Sequence, residues 1–135
     1  MQIRGRGIAK GVGKGLLLIS PAPVSFLSGV DPATGIIVEK GHPLQGESIA
    51  GRVFAFPYGK GSTVGSYVLY GLSRNGHAPA AIINTEAEPI IATGAIIGKI
   101  PMIDRIDVPV NRLKNGVTVV VDGDTGEMIY DGDIV

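Results

Sequence analysis

The chain has 135 residues, 44% hydrophobic and 18% charged, with 12 basic side chains against 12 acidic ones and no cysteine. That length suits one domain over residues 1–135 with a sizeable core, and this hydrophobicity at zero net charge excludes intrinsic disorder. No basic run follows a phosphate backbone, so nucleic acid is not an expected partner; without thiolates there is no disulfide and no cysteine-held zinc or iron–sulfur cluster on this chain.

The first residues carry Arg4, Arg6 and Lys10 among glycines and lack the apolar core of a signal peptide. No apolar run is long enough for a bilayer, so a cytoplasmic protein with no membrane partner is expected. With 21 Gly and 9 Pro, short strands joined by tight turns should outnumber long helices. β-Branched runs bounded by turn residues predict strands at 2–8, 15–19, 35–39, 52–56, 80–84, 89–92 and 117–121. Between 15–19 and 35–39, the segment 20–31 reads as an ordered loop. The run 117–121 pairs with 127–130 as a β-hairpin, because Asp122-Gly123-Asp124-Thr125-Gly126 between them tolerates positive φ.

One segment has the other period. Val64, Tyr67, Val68, Gly71 and Leu72 form the i, i+3, i+4, i+7, i+8 stripe of an amphipathic helix over 63–74, with Ser62 as N-cap and Asn75-Gly76 as its stop. A second, weaker helix is expected around 93–98. The pattern as a whole is mostly β with α, an α+β fold, and shows no domain boundary or internal repeat.

The chemistry concentrates where a strand meets that helix. In Arg52-Val53-Phe54-Ala55-Phe56-Pro57-Tyr58-Gly59-Lys60-Gly61-Ser62-Thr63, Gly59 and Gly61 permit positive φ and close approach of backbone to a ligand. The first free amides of the helix point into the same space. An anion is favoured there, and a negative charge on Ser62 costs less beside the helix dipole and Lys60. By pattern alone a plain N-cap worth about 1 kcal/mol is the favoured reading of Ser62. The turn is not a nucleotide P-loop, because Lys60 precedes Gly61 and Ser62 and the spacing G-x-x-x-x-G-K-[ST] is missing.

The run from His42-Pro43-Leu44-Gln45-Gly46-Glu47-Ser48 through Gly51 to Thr63 resembles the small swivel-domain subunit of the aconitase X family. Asn84-Thr85-Glu86-Ala87-Glu88-Pro89-Ile90 and the hairpin loop Val121-Asp122-Gly123-Asp124-Thr125-Gly126 extend the resemblance to nearly the whole chain. The resemblance implies a swivelling β/β/α domain that binds no cofactor itself. It implies a heterodimer with a large aconitase X-type subunit that holds a [4Fe–4S] cluster through its own cysteines. The implied reaction is dehydration of (R)-5-phosphomevalonate to trans-anhydromevalonate 5-phosphate in an archaeal mevalonate route, and the family's serine base aligns with Ser62. More distant aconitase-type domains carry an arginine after a Gly-Ser-Ser run, whereas Val64 stands here. Anchoring of substrate anions then falls to Lys60, to Gly61 and Thr63 in the turn, or to the partner.

Two other readings stay open: a hydroxyproline dehydratase subunit of the same family, and a non-catalytic swivel module in which Ser62 only caps the helix. Among the remaining candidates, His42 precedes Pro43 in a loop and is a possible substrate contact or else a surface or hydrogen-bonding residue. His77 follows the helix stop and reads as a partner of the helix dipole. Neither has a second ligand at metal spacing, so no metal site is expected. Glu86 and Glu88 cannot face each other two positions apart and are expected to be solvated. Asp104-Arg105-Ile106-Asp107 reads as a charged turn or edge strand at the surface. Asp122 and Asp124 read as turn formers, with weak cation binding as an alternative.

Overall fold

The computed structural model describes residues 1–60 and 64–134. Its strands are β1 (Gln2–Arg4), β2 (Arg6–Ala9), β3 (Val12–Ile19), β4 (Val53–Phe56), β5 (Ala81–Asn84), β6 (Met102–Asp104), β7 (Thr118–Asp122) and β8 (Glu127–Tyr130). They form one mixed sheet in the order β1-β8-β7-β3-β4-β5-β6-β2. The helices are α1 (Phe26–Gly29), α2 (Gly65–Arg74) and α3 (Pro89–Ile97).

β1 and β2 occupy opposite ends of that order yet are separated in the chain only by Gly5. The sheet must therefore roll until its ends meet. At the seam, Gly5 N donates to Gly126 O at 2.8 Å and Asp107 N to Arg4 O at 2.8 Å. A Cβ at Gly5 would run into Asp104 O, so this close approach requires glycine. For the same reason the strand expected over 2–8 is two strands broken at Gly5.

Rolling gives the sheet an inner and an outer face, and alternation along each strand fills both. Ile3, Leu17, Val53, Ala55, Ile83, Val119, Val121, Met128 and Tyr130 pack inside the roll. Leu18, Phe54, Phe56, Ile82 and Met102 point outward against Phe26 of α1, Leu69 and Leu72 of α2, and Ile91 and Ala95 of α3. The layering is β/β/α. All four residues of β4 and all four of β5 are buried, which is why β4 reads as an unbroken apolar run and β5 as one closed by the polar Asn84. Burial of Val53, Phe54, Phe56, Ile82 and Ile83 contributes about 1.5–3 kcal/mol each.

α2 ends at Arg74 as expected but begins at Gly65 rather than 63, with Val64 and not Ser62 in the N-cap position, and its buried face differs too. Gly65, Leu69 and Leu72 are buried, whereas Tyr67 is 73% exposed and Val64 is exposed as well. The helix is rotated from the expected stripe because Leu69 packs onto α3 at Gly94, where a Cβ would crowd it. Its stop is a Schellman motif: His77 N donates to Leu72 O at 2.9 Å and Gly76 N to Ser73 O at 3.2 Å, with Gly76 at φ 77.

The strand expected over 89–92 is instead the first turn of α3. The Glu88 carboxylate accepts from Ile90 N at 2.9 Å and Ile91 N at 2.7 Å, and Pro89 takes the first helical position, where its missing N–H costs nothing. This cap overrides the β-branched composition. The residues around 93–98 complete the same helix. The expected strand at 35–39 makes only isolated bridges, Val30 with Ile37 and Ile36 with Ser48. Met102–Asp104, not expected as a strand, lies between β5 and β2. The loop 20–31 contains the single turn of α1, and the 117–130 hairpin forms as expected, β7 antiparallel to β8.

Candidate active site

β3, β4, β5 and β6 run parallel to one another, so their carboxyl ends share one edge of the sheet. In open α/β sheets that edge is where ligands bind, because the connecting loops and helix starts converge there. Ser20 and Pro21 leave β3, residues 57–60 leave β4, Thr85 to Glu88 leave β5, and Arg105 leaves β6. A crevice of about 580 Å³ opens along it, lined among others by Ser20, Pro57, Thr85, Asn111 and Leu113.

The turn after β4 is held at its root and along its first limb. Pro57 O accepts from Thr85 N at 3.1 Å and Glu86 N at 3.5 Å, and Phe56 O accepts from Asn84 Nδ2 at 3.1 Å. Val24 N donates to Tyr58 O at 3.3 Å and Lys60 N to Val24 O at 3.0 Å. Gly59 does not use positive φ, contrary to expectation. It is glycine for space, since a Cβ would run into the Ile91 side chain of α3. Lys60 Nζ pairs with Glu39 Oε2 at 3.2 Å, and the lysine side chain is 47% exposed, so the pair is worth about 0–1 kcal/mol and opens easily. Gly61, Ser62 and Thr63, the remaining turn candidates, lie outside the described residues.

His42 is buried rather than on the surface. Its Nδ1 accepts from Leu44 N at 3.0 Å, so Nε2 carries the proton and faces Ser20 Oγ at 3.4 Å. Ser20 Oγ in turn donates to Ala22 O at 2.6 Å. Through Ser20 the imidazole supports the crevice wall.

Asp104 overturns its expected surface role: it is fully buried. Arg6 donates to both of its oxygens at 2.9 and 2.7 Å, and Ala87 N donates to Oδ2 at 2.7 Å. The hydrogen bond to Asp104 raises the Arg6 pKa above its ordinary value. This bidentate clamp joins β2, β6 and the connection to α3. Glu86 is exposed as expected and pairs with Arg105, whose hydrogen bond lowers the glutamate's pKa and raises its own. Glu88, expected to be solvated, is the α3 cap described above. His77 contributes its backbone amide to the end of α2. Asp122 Oδ1 accepts from Asp124 N at 2.9 Å and shapes the β7–β8 turn.

Sequence reasoning missed Ser20, Asn84 and the Arg6–Asp104 clamp. The signal for Asn84 was a polar residue closing an otherwise apolar buried strand. The clamp spans 98 positions of sequence and left no local trace. The chain has no cysteine, and among the described residues no three His, Asp or Glu side chains stand close enough to hold a metal ion. An iron–sulfur cluster therefore does not fit on this chain's described residues.

A rolled β/β/α domain with a glycine turn at the edge of its parallel strands is the architecture of an aconitase-type swivel domain. Residues 2–130 match the aconitase X swivel domain model, and the chain belongs to that family. It is similar to the phosphomevalonate dehydratase small subunit of Methanocella arvoryzae, 57% identical over 127 residues that cover 93% of this chain and 96% of that one. The phosphomevalonate dehydratase small subunit of Pyrococcus furiosus is 54% identical over 136 residues, covering 99% of this chain and all of that one. In three dimensions it is similar to the crystal structure of Thermococcus kodakaraensis aconitase X in its holo form. That match has a TM-score of 0.93 at 51% identity and covers 98% of this chain and 99% of the other.

Proposed function

We propose that this chain is the small subunit of a phosphomevalonate dehydratase, a hydro-lyase active in the cytoplasm as a single 1–135 swivel domain docked on a large aconitase X-type subunit. The observation that carries this reading is the end-to-end likeness to proteins named phosphomevalonate dehydratase small subunit, at 57% and 54% identity. The reaction removes a proton from the carbon beside the carboxylate of (R)-5-phosphomevalonate and hydroxide from the next carbon. The products are a C=C bond in trans-anhydromevalonate 5-phosphate, and water. A [4Fe–4S] cluster on the large subunit, held by that subunit's cysteines, would supply Lewis acidity toward the departing hydroxyl.

This chain supplies the base. Ser62 precedes Val64, the N-cap of α2, by two positions in the chain, and negative charge is favoured near a helix start. In the proposed mechanism Ser62 accepts the proton from the substrate carbon. Gly61 and Thr63 present turn amides to the substrate's oxygens, and Lys60 leaves its exposed pair with Glu39 for an anionic group of the substrate. His42 backs the site through Ser20.

Co-expression of both subunits and an anaerobic assay on 5-phosphomevalonate tests the reading. Ser62→Ala should leave assembly intact and lower kcat by about 10²–10⁴-fold. Full turnover by this variant removes Ser62 as the base and leaves a scaffold role. Turnover of a hydroxyproline in place of 5-phosphomevalonate replaces the substrate while keeping the site.

A further inference from the structure

Asn84 closes β5 opposite Phe56 of β4 and is fully buried on the face that packs against the helices. Its neighbours on that face, Ile82, Phe54 and Phe56, are apolar, so a polar side chain here is tolerated only for its hydrogen bonds. Nδ2 donates to Phe56 O at 3.1 Å and to Ile83 O at 3.3 Å. Two carbonyl acceptors identify that atom as the nitrogen. The carboxamide oxygen is buried and has no hydrogen-bond partner among the described residues, which leaves the bond to the β4 exit as the residue's link to the turn.

Phe56 O is the last carbonyl of β4, and the next one, Pro57 O, accepts from Thr85 N and Glu86 N. Residues 84, 85 and 86 thus grip two successive carbonyls where the chain leaves the sheet toward Ser62. Asn84 is the only one of the three that does so with its side chain, so substitution can release its grip without breaking the backbone. We infer that Asn84 is a positioning residue for the glycine turn, fixing the direction in which residues 57–60 depart. Its catalytic consequence rests on the dehydratase reading; the tether itself does not.

The test uses the full chain and the two-subunit complex, with Asn84→Ala, Asn84→Asp and, as a control, Ser73→Ala. Ser73 Oγ donates to Gly98 O at 2.6 Å, a bond between the far ends of α2 and α3. In the full chain, Asn84→Ala should speed hydrogen exchange of the Lys60 and Thr85 amides by about tenfold or more, with β7 and β8 little changed. In the complex it should lower kcat by about tenfold with KM within about twofold, the signature of a turn misplaced for the chemical step. Ser73→Ala should leave kcat unchanged.

Asn84→Asp has no donor when ionised but regains one O–H when protonated, and burial raises its carboxyl pKa. Protection of the Lys60 and Thr85 amides, relative to wild type, should therefore recover as pH falls from about 8 to about 6. A generic packing role gives no such recovery. Wild-type exchange at Lys60 and Thr85 in Asn84→Ala overturns the inference. If that variant does not fold, the acid response of Asn84→Asp decides alone: recovery supports the tether and a flat response overturns it. A wild-type complex inactive on 5-phosphomevalonate sinks the dehydratase reading, while the exchange data still judge Asn84.

Discussion

The two halves of the rolled sheet do different work. β1, β8 and β7 are antiparallel neighbours, joined where possible by a tight turn, and each buries only alternate residues. β3 to β6 are parallel, and β4 and β5 are buried on both faces. Antiparallel strands reverse within a few residues and leave nothing at their ends but turns. Parallel strands need crossovers, so four chain exits and the starts of α2 and α3 meet at one edge. The first half therefore closes the barrel, and the second presents the crevice and the glycine turn. Stability and chemistry should separate along this division.

Tyr130 tests the closing half most severely. It is fully buried, and its hydroxyl accepts from Lys114 N at 2.7 Å and donates to Asp133 O at 2.8 Å. Tyr130→Ala should cost about 3–5 kcal/mol in denaturant unfolding, yet turnover per assembled complex should stay at the wild-type level. A matching loss of kcat would show that the halves are coupled.

Gly59→Ala strikes the other half. The added methyl meets Ile91, and overpacking of this kind costs about 1–3 kcal/mol. Turnover should fall further than that stability loss explains, because the turn and α3 move apart. A double-mutant cycle with Ile91→Ala should show favourable coupling of about 0.5–3 kcal/mol; simple additivity would place the strain elsewhere.

The smallest effect belongs to Arg105→Gln at the exit of β6. Glu86 holds a pKa below its ordinary 4.5 through the hydrogen bond from Arg105. The pair therefore stabilises the fold above about pH 4.5 and loses that contribution as pH falls through the lowered value. Wild type and Arg105→Gln should differ slightly in Tm at pH 7 and converge in acid. A difference that persists at low pH would assign the effect to packing of the arginine stem.

Some of this molecule was legible before any coordinates. The 117–130 hairpin and the stop of α2 at Asn75-Gly76 rest on turn residues, β-branched runs and helix stops that act within a few positions. Ser62 became a candidate through its place in the glycine turn and the aconitase X resemblance. The helix at Pro89 was misread because two β-branched residues, Ile90 and Ile91, outweighed the Glu88-Pro89 cap, whose oxygens reveal their partners only in space. The supports of the site were illegible for a deeper reason. Asn84 reads as a strand end, His42 as a loop histidine and Asp104 as a surface charge until the sheet rolls.

The sequence by itself therefore determined the 117–130 hairpin, the stop of α2 and the absence of thiolates, since each depends on backbone preferences and side-chain inventory over short spans. Tertiary structure alone decided which face of α2 is buried, that the two ends of the sheet meet at Gly5, and that Asp104 lies inside, clamped by Arg6. Those outcomes follow from burial and pairing between segments up to about a hundred residues apart, where local preference has no reach.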